Sequence, residues 1–132
     1  MNLLAKVLRL LSPVFVVVAV LHLVLGLRAD VLLGAAVPPS VVADPTLDSQ
    51  NRFYGVAFAI YGVILFICAG DLQRYAPVFR AALAVFFLGG VARLVSWAIY
   101  GQPSALVIAL GLVELVAPAL LWAWFSRVCS EA

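Results

Sequence analysis

Charge is scarce in this sequence. Of its 132 residues, 11% are charged and 67% are hydrophobic. A water-soluble domain carries about 25% charged residues. With so little polar side chain, the chain cannot coat a globule in water, and a lipid bilayer is the solvent that removes the difficulty. Lysine is nearly missing, with one residue against seven arginines, in a chain rich in Ala and Val. That bias hints at a GC-rich bacterial genome. No basic patch is interleaved with aromatics, which argues against nucleic acid as a partner. The two cysteines, Cys68 and Cys129, lack metal-ligand spacing, and His22 is the single histidine. A metal site is therefore not expected, and neither is a bound cofactor. No serine sits beside a base and no glycine loop could cradle a phosphate, so nothing marks a catalytic residue.

Long apolar runs fill the chain. A spanning helix needs about 20 such residues. Candidate runs lie at 10–27, 53–70, 81–100 and 104–125. The first follows Lys6 and Arg9 in the manner of a signal peptide. Its apolar stretch exceeds the usual core of roughly 7–15 residues, and no small-x-small cleavage site follows it. It reads as a retained helix. The expected fold is all-α: one four-helix transmembrane bundle over residues 1–132, with helices near 7–27, 45–70, 79–100 and 104–126. A long, partly apolar loop joins the first two. Lys6, Arg9, Arg74, Arg80 and Arg127 lie on one side of this topology, and Arg28 and Arg52 on the other. The positive-inside rule then places both termini in the cytoplasm of a bacterial inner membrane.

The loop holds an apolar stretch, 31–42, broken by Pro38 and Pro39. At about 12 residues it is too short to span. It reads as a segment packed over the end of the bundle, or as a lid over a cavity. Asp44 is placed to cap the second helix, with Pro45 at its first position. Asp48 and Arg52 follow four residues apart on one face, where an ion pair can form.

Arg93 and Glu114 stand inside apolar runs, where a charge costs about 2.5–3.5 kcal/mol on insertion scales. Residues 101–104 are too few for anything but a tight hairpin, so the third and fourth helices are antiparallel neighbours. Counting from that turn at 1.5 Å per residue, the two charges differ in height by about 3 Å, within reach of an arginine. A bidentate guanidinium–carboxylate pair is expected. Pro118 cannot donate to the Glu114 carbonyl, which leaves a second acceptor at this level. Ser96 lies on the Arg93 stripe. The pair could fix only the register of the hairpin, or it could be a polar core that receives a ligand headgroup or a partner's side chain. Asp48 and Arg52 join it as candidate polar positions. Gly55, Ala59 and Gly62 form a small-residue stripe suited to close helix contact, internal or external, and Gly89 and Gly90 offer another. His22 reads as a packing residue with one hydrogen bond.

The segments LDSQNRFYGVAFAIYGVIL, GGVARLVSWAIYGQPS and LVELVAPALL, within residues 47–124, resemble a bacterial family catalogued as domain of unknown function 4345. Its pattern matches here at Arg52, Phe53, Tyr54, Gly89, Gly90, Arg93, Gly101, Pro103, Glu114 and Pro118. The resemblance implies a small four-helix membrane protein, and it names no activity. Two function classes remain in front. One is a non-enzymatic accessory or stabilising subunit of a larger bacterial membrane complex, with lipid transport as one setting. The other is a binder or carrier of a small amphiphile, with a polar pocket at the level of Arg93 and Glu114. A membrane enzyme ranks third. The implied partners are the bilayer, another membrane protein and a bound lipid.

Overall fold

The computed structural model describes residues 3–130, and these are helical nearly throughout. In chain order the helices are α1 (Leu3–Leu25), α2 (Arg28–Leu32), α3 (Pro39–Val42), α4 (Pro45–Ala57), α5 (Ala59–Cys68), α6 (Ala76–Tyr100) and α7 (Ala105–Ser130). Taking α4 and α5 together, four of the described stretches are long and apolar enough to cross a membrane. The chain is thus a small multi-helix protein of membrane type.

Helix starts and stops follow local chemistry. Asp44 caps α4, its Oδ1 accepting from the Thr46 and Leu47 amides at 2.9 Å each, and Pro45 stands first in the helix. Gly26, at φ +57°, ends α1 in the left-handed region that other residues avoid. The helices run past the apolar windows at several ends: α1 begins at Leu3, and α7 continues to Ser130. Lys6 and Arg9 do not stop α1, because a helix can leave the hydrocarbon without breaking its ladder. The second span departs from a single helix over 45–70. It is interrupted at Phe58, whose amide shares the Tyr54 and Gly55 carbonyls at 3.2 Å each. This is a tightened turn with no proline to cause it.

The spans associate as two antiparallel pairs. Helix α1 packs along α4 and α5, and α6 packs along α7. At the end holding both termini the pairs close on one core. Leu4, Leu8, Leu65, Cys68, Phe79, Leu83 and Phe125 are buried there together, with the Phe79 and Phe125 rings 5.1 Å apart. Toward the opposite end, the turn end, the pairs diverge. The connection between α1 and α4 covers that opening with α2 and the stretch that follows it, while α3 packs on α4. The Ser104 hydroxyl in the α6–α7 turn donates to the Leu33 carbonyl at 2.8 Å. The long connection is therefore a roof seated on the bundle. Most outward side chains are apolar, including Leu10, Leu88 and Leu120, as a lipid-facing surface requires.

Candidate functional site

Arg93 on α6 meets Glu114 on α7 in a two-pronged pair. Nε donates to Oε2 at 2.6 Å and Nη2 to Oε1 at 2.9 Å. Small residues make the crossing possible. A Cβ added at Gly111 would sit 3.3 Å from Arg93 Cδ, and one at Gly90 would meet the Leu115 side chain at 2.8 Å. The pair is lopsided in burial. Glu114 is 8% exposed, whereas the Arg93 side chain is 40% exposed.

Both residues line a cavity of about 750 Å³ between the two helix pairs at the turn end. Its roof is residues 33–36, and its rim includes Gln102 and Ser104. Facing the charge pair is a second polar group. His22 Nδ1 lies 2.9 Å from the Val18 carbonyl, and its Nε2 is 3.8 Å from Asp30 Oδ1. The Asn51 amide donates to Asp30, while Asn51 Oδ1 is buried with no hydrogen-bond partner. An orphaned acceptor of this kind costs about 1–3 kcal/mol.

Below this polar chamber lies an apolar one of about 200 Å³. The two share Val18, Phe58, Leu110 and Glu114 in their walls. Phe15, Phe58, Tyr61 and Phe86 cluster there with ring centroids 5.2–6.2 Å apart. The break at Phe58 puts its ring between the chambers. Val14 on α1 and Val113 on α7 also line the apolar chamber, and each is 55% exposed. Its edge therefore reaches the lipid-facing surface in the cleft between α1 and α7.

A family model described as "Domain of unknown function (DUF4345)" matches residues 4–125. The chain belongs to that family. The match takes in α1 and the roof as well as the segments that carry the motifs. No curated protein matches, and no solved structure does. The family description assigns no activity, so chemistry must be read from the geometry.

Among the sequence candidates, the structure brings Arg93 and Glu114 together in the cavity wall. Asp48 and Arg52 lie elsewhere, clasping the end of α1. Arg52 Nε donates to Asp48 Oδ2 at 2.7 Å, and Nη1 reaches the carbonyls of Leu23 and Val24. Asp48 Oδ1 accepts from the Leu27 amide at 3.1 Å. These contacts satisfy donors and acceptors that a helix end leaves open. Ser96 is exposed and lines a groove between α6 and α7, along with Arg93. Gly55 and Gly62 face α1: a side chain at Gly55 would collide with His22, and a Cβ at Gly62 would lie 2.6 Å from the Ser12 carbonyl oxygen. Gly89 borders the charge pair, its added Cβ 4.0 Å from Glu114 Oε2. Asp30 and Asn51 escaped the sequence reading. Asn51 is a polar residue one position before Arg52, on a different face of α4. Asp30 gave no signal, because the folded connection carries it there. Among the described residues no cluster of three or more His, Cys, Asp or Glu could hold a metal ion.

Proposed function

We infer that this protein binds a single-chain amphiphile without chemically transforming it. The headgroup occupies the polar chamber at the level of Arg93 and Glu114. The first part of the tail occupies the apolar chamber, and the remainder passes into lipid between Val14 and Val113. The supporting observation is the pair of chambers meeting at Glu114 and Phe58. A cavity of several hundred Å³ with few convergent polar groups is the usual form of a small-molecule site. Ser104, the hydroxyl on the rim, donates to the Leu33 carbonyl and has no base to activate it, which favours binding over turnover. We place both termini in the cytoplasm of a bacterial inner membrane, from the distribution of Lys and Arg. The chambers then sit in the outer half of the bilayer.

A second reading makes the chain an accessory subunit of a larger membrane complex, including one that moves lipid. The groove between α6 and α7 favours it, because the partly exposed Arg93 lines it beside Trp97. The small-residue stripe does not support it, being filled by α1. The test is to purify the protein from its own membranes in mild detergent and identify by mass spectrometry what accompanies it. About one amphiphile per chain is expected. A chain that is free of lipid would overturn the binding reading, and a stoichiometric protein partner on such a chain would favour the second.

A further inference from the structure

The polar chamber sets an imidazole nitrogen beside a carboxylate, and this bears on the headgroup it can take. The Val18 carbonyl can only accept, so the His22 Nδ1 facing it at 2.9 Å carries a proton. In a neutral ring Nε2 is then a bare acceptor. It faces Asp30 Oδ1, another acceptor, at 3.8 Å, too far for a direct hydrogen bond. Asn51 holds that carboxylate in place, its amide nitrogen donating to Asp30, while its Oδ1 is enclosed without a partner and out of reach of a headgroup. Turning the amide over would set oxygen against carboxylate, so the donor bond fixes its orientation. On the opposite wall Arg93 commits one proton each of Nε and Nη2 to Glu114, leaving its remaining N–H groups free to donate, and the Ser104 proton goes to Leu33. Tyr54 and Gln102 on the wall can each donate and accept.

Charge points the same way. Glu114 neutralises Arg93, and Asp30 adds a negative charge within the same walls. A phosphate would bring more negative charge to a site that already has an excess of it. Resting on the amphiphile reading, we propose that the polar chamber selects a headgroup that donates hydrogen bonds, a hydroxyl or an ammonium, and disfavours a phosphate. The donor bridges His22 Nε2 and Asp30, while Arg93 donates to any headgroup oxygen.

The experiment compares three probes with one tail, monooleoylglycerol, oleylamine and oleoyl lysophosphatidate, on the full chain in nanodiscs by competition against a fluorescent fatty amphiphile. At least one donor probe is expected to bind about tenfold or more tightly than the lysophosphatidate, a difference of about 1.4 kcal/mol. Which donor probe wins separates hydroxyl from ammonium. Asp30→Asn and, independently, His22→Leu should bring that ratio toward one. Lysophosphatidate binding as well as or better than both donor probes overturns the headgroup assignment while leaving the amphiphile reading intact. A preference that survives both substitutions also overturns it, and the wild-type ratio decides if neither variant folds. Failure of all three probes, with no displacement of the fluorophore, overturns the amphiphile reading itself.

Discussion

At the scale of single residues, the unequal burial of Arg93 and Glu114 makes their removal unequal. Losing one member of a buried pair strands the other, at about 3–5 kcal/mol when the remaining charge is fully enclosed. Arg93→Leu leaves Glu114 in its 8% exposed position. Glu114→Leu leaves an arginine that is already 40% exposed and long enough to swing toward water or headgroups. Arg93→Leu should therefore be the more damaging change, and the double variant should be less damaged than the sum of the two. The check is the melting temperature in detergent for all four chains, read as a double-mutant cycle. Equal damage from the two single changes would refute the asymmetry, and simple additivity would remove the coupling. The pair was legible from sequence for a separate reason. The four-residue turn sets both heights, and both side chains are long relative to the offset.

At the scale of elements, glycine acts here through space in one place and through backbone in another. Gly62 lets α5 approach α1 so closely that an added Cβ lies 2.6 Å from the Ser12 carbonyl oxygen. The Ser12 hydroxyl donates to the Gly62 carbonyl at 2.8 Å at the same crossing. Gly62→Ala should cost about 1–3 kcal/mol by overpacking, and Gly62→Leu should separate the helices and abolish a folded peak in size-exclusion chromatography. Gly101 has open space around it but sits at φ +91°, so Gly101→Ala should cost about 1–3 kcal/mol through backbone strain alone. A Gly62→Ala chain with unchanged melting temperature would refute the close crossing. Much of this level was readable from sequence, because caps and turns are local: Asp44, Pro45 and the 101–104 turn act within a few residues. The break at Phe58 was not, since no proline or glycine occupies that position. Nor was the meeting of His22, Asp30 and Asn51, which depends on how the connection folds back across the bundle.

At the scale of the molecule, the two helix pairs are closed at one end by a core and covered at the other by a connection. The proposed orientation puts that covered end on the outer side. A reporter active only outside the cytoplasm should be silent when fused to the C-terminus and active when inserted at residues 41–48. The reverse pattern would invert the molecule and move the chambers to the inner leaflet. The roof is tied to the α6–α7 turn by the Ser104 to Leu33 hydrogen bond. Ser104→Ala removes a contact of about 0.5–1.5 kcal/mol and should speed release of a fluorescent amphiphile roughly two- to tenfold. An unchanged release rate would mean that the tail leaves by another route. On the amphiphile reading the cleft between Val14 and Val113 supplies such a route, and it would change what affinity means for this protein. A molecule entering there partitions from the surrounding leaflet and never passes through water. Occupancy then follows the mole fraction of that molecule in the membrane, so diluting the protein at a fixed lipid ratio leaves it filled, while diluting the membrane with inert lipid empties it.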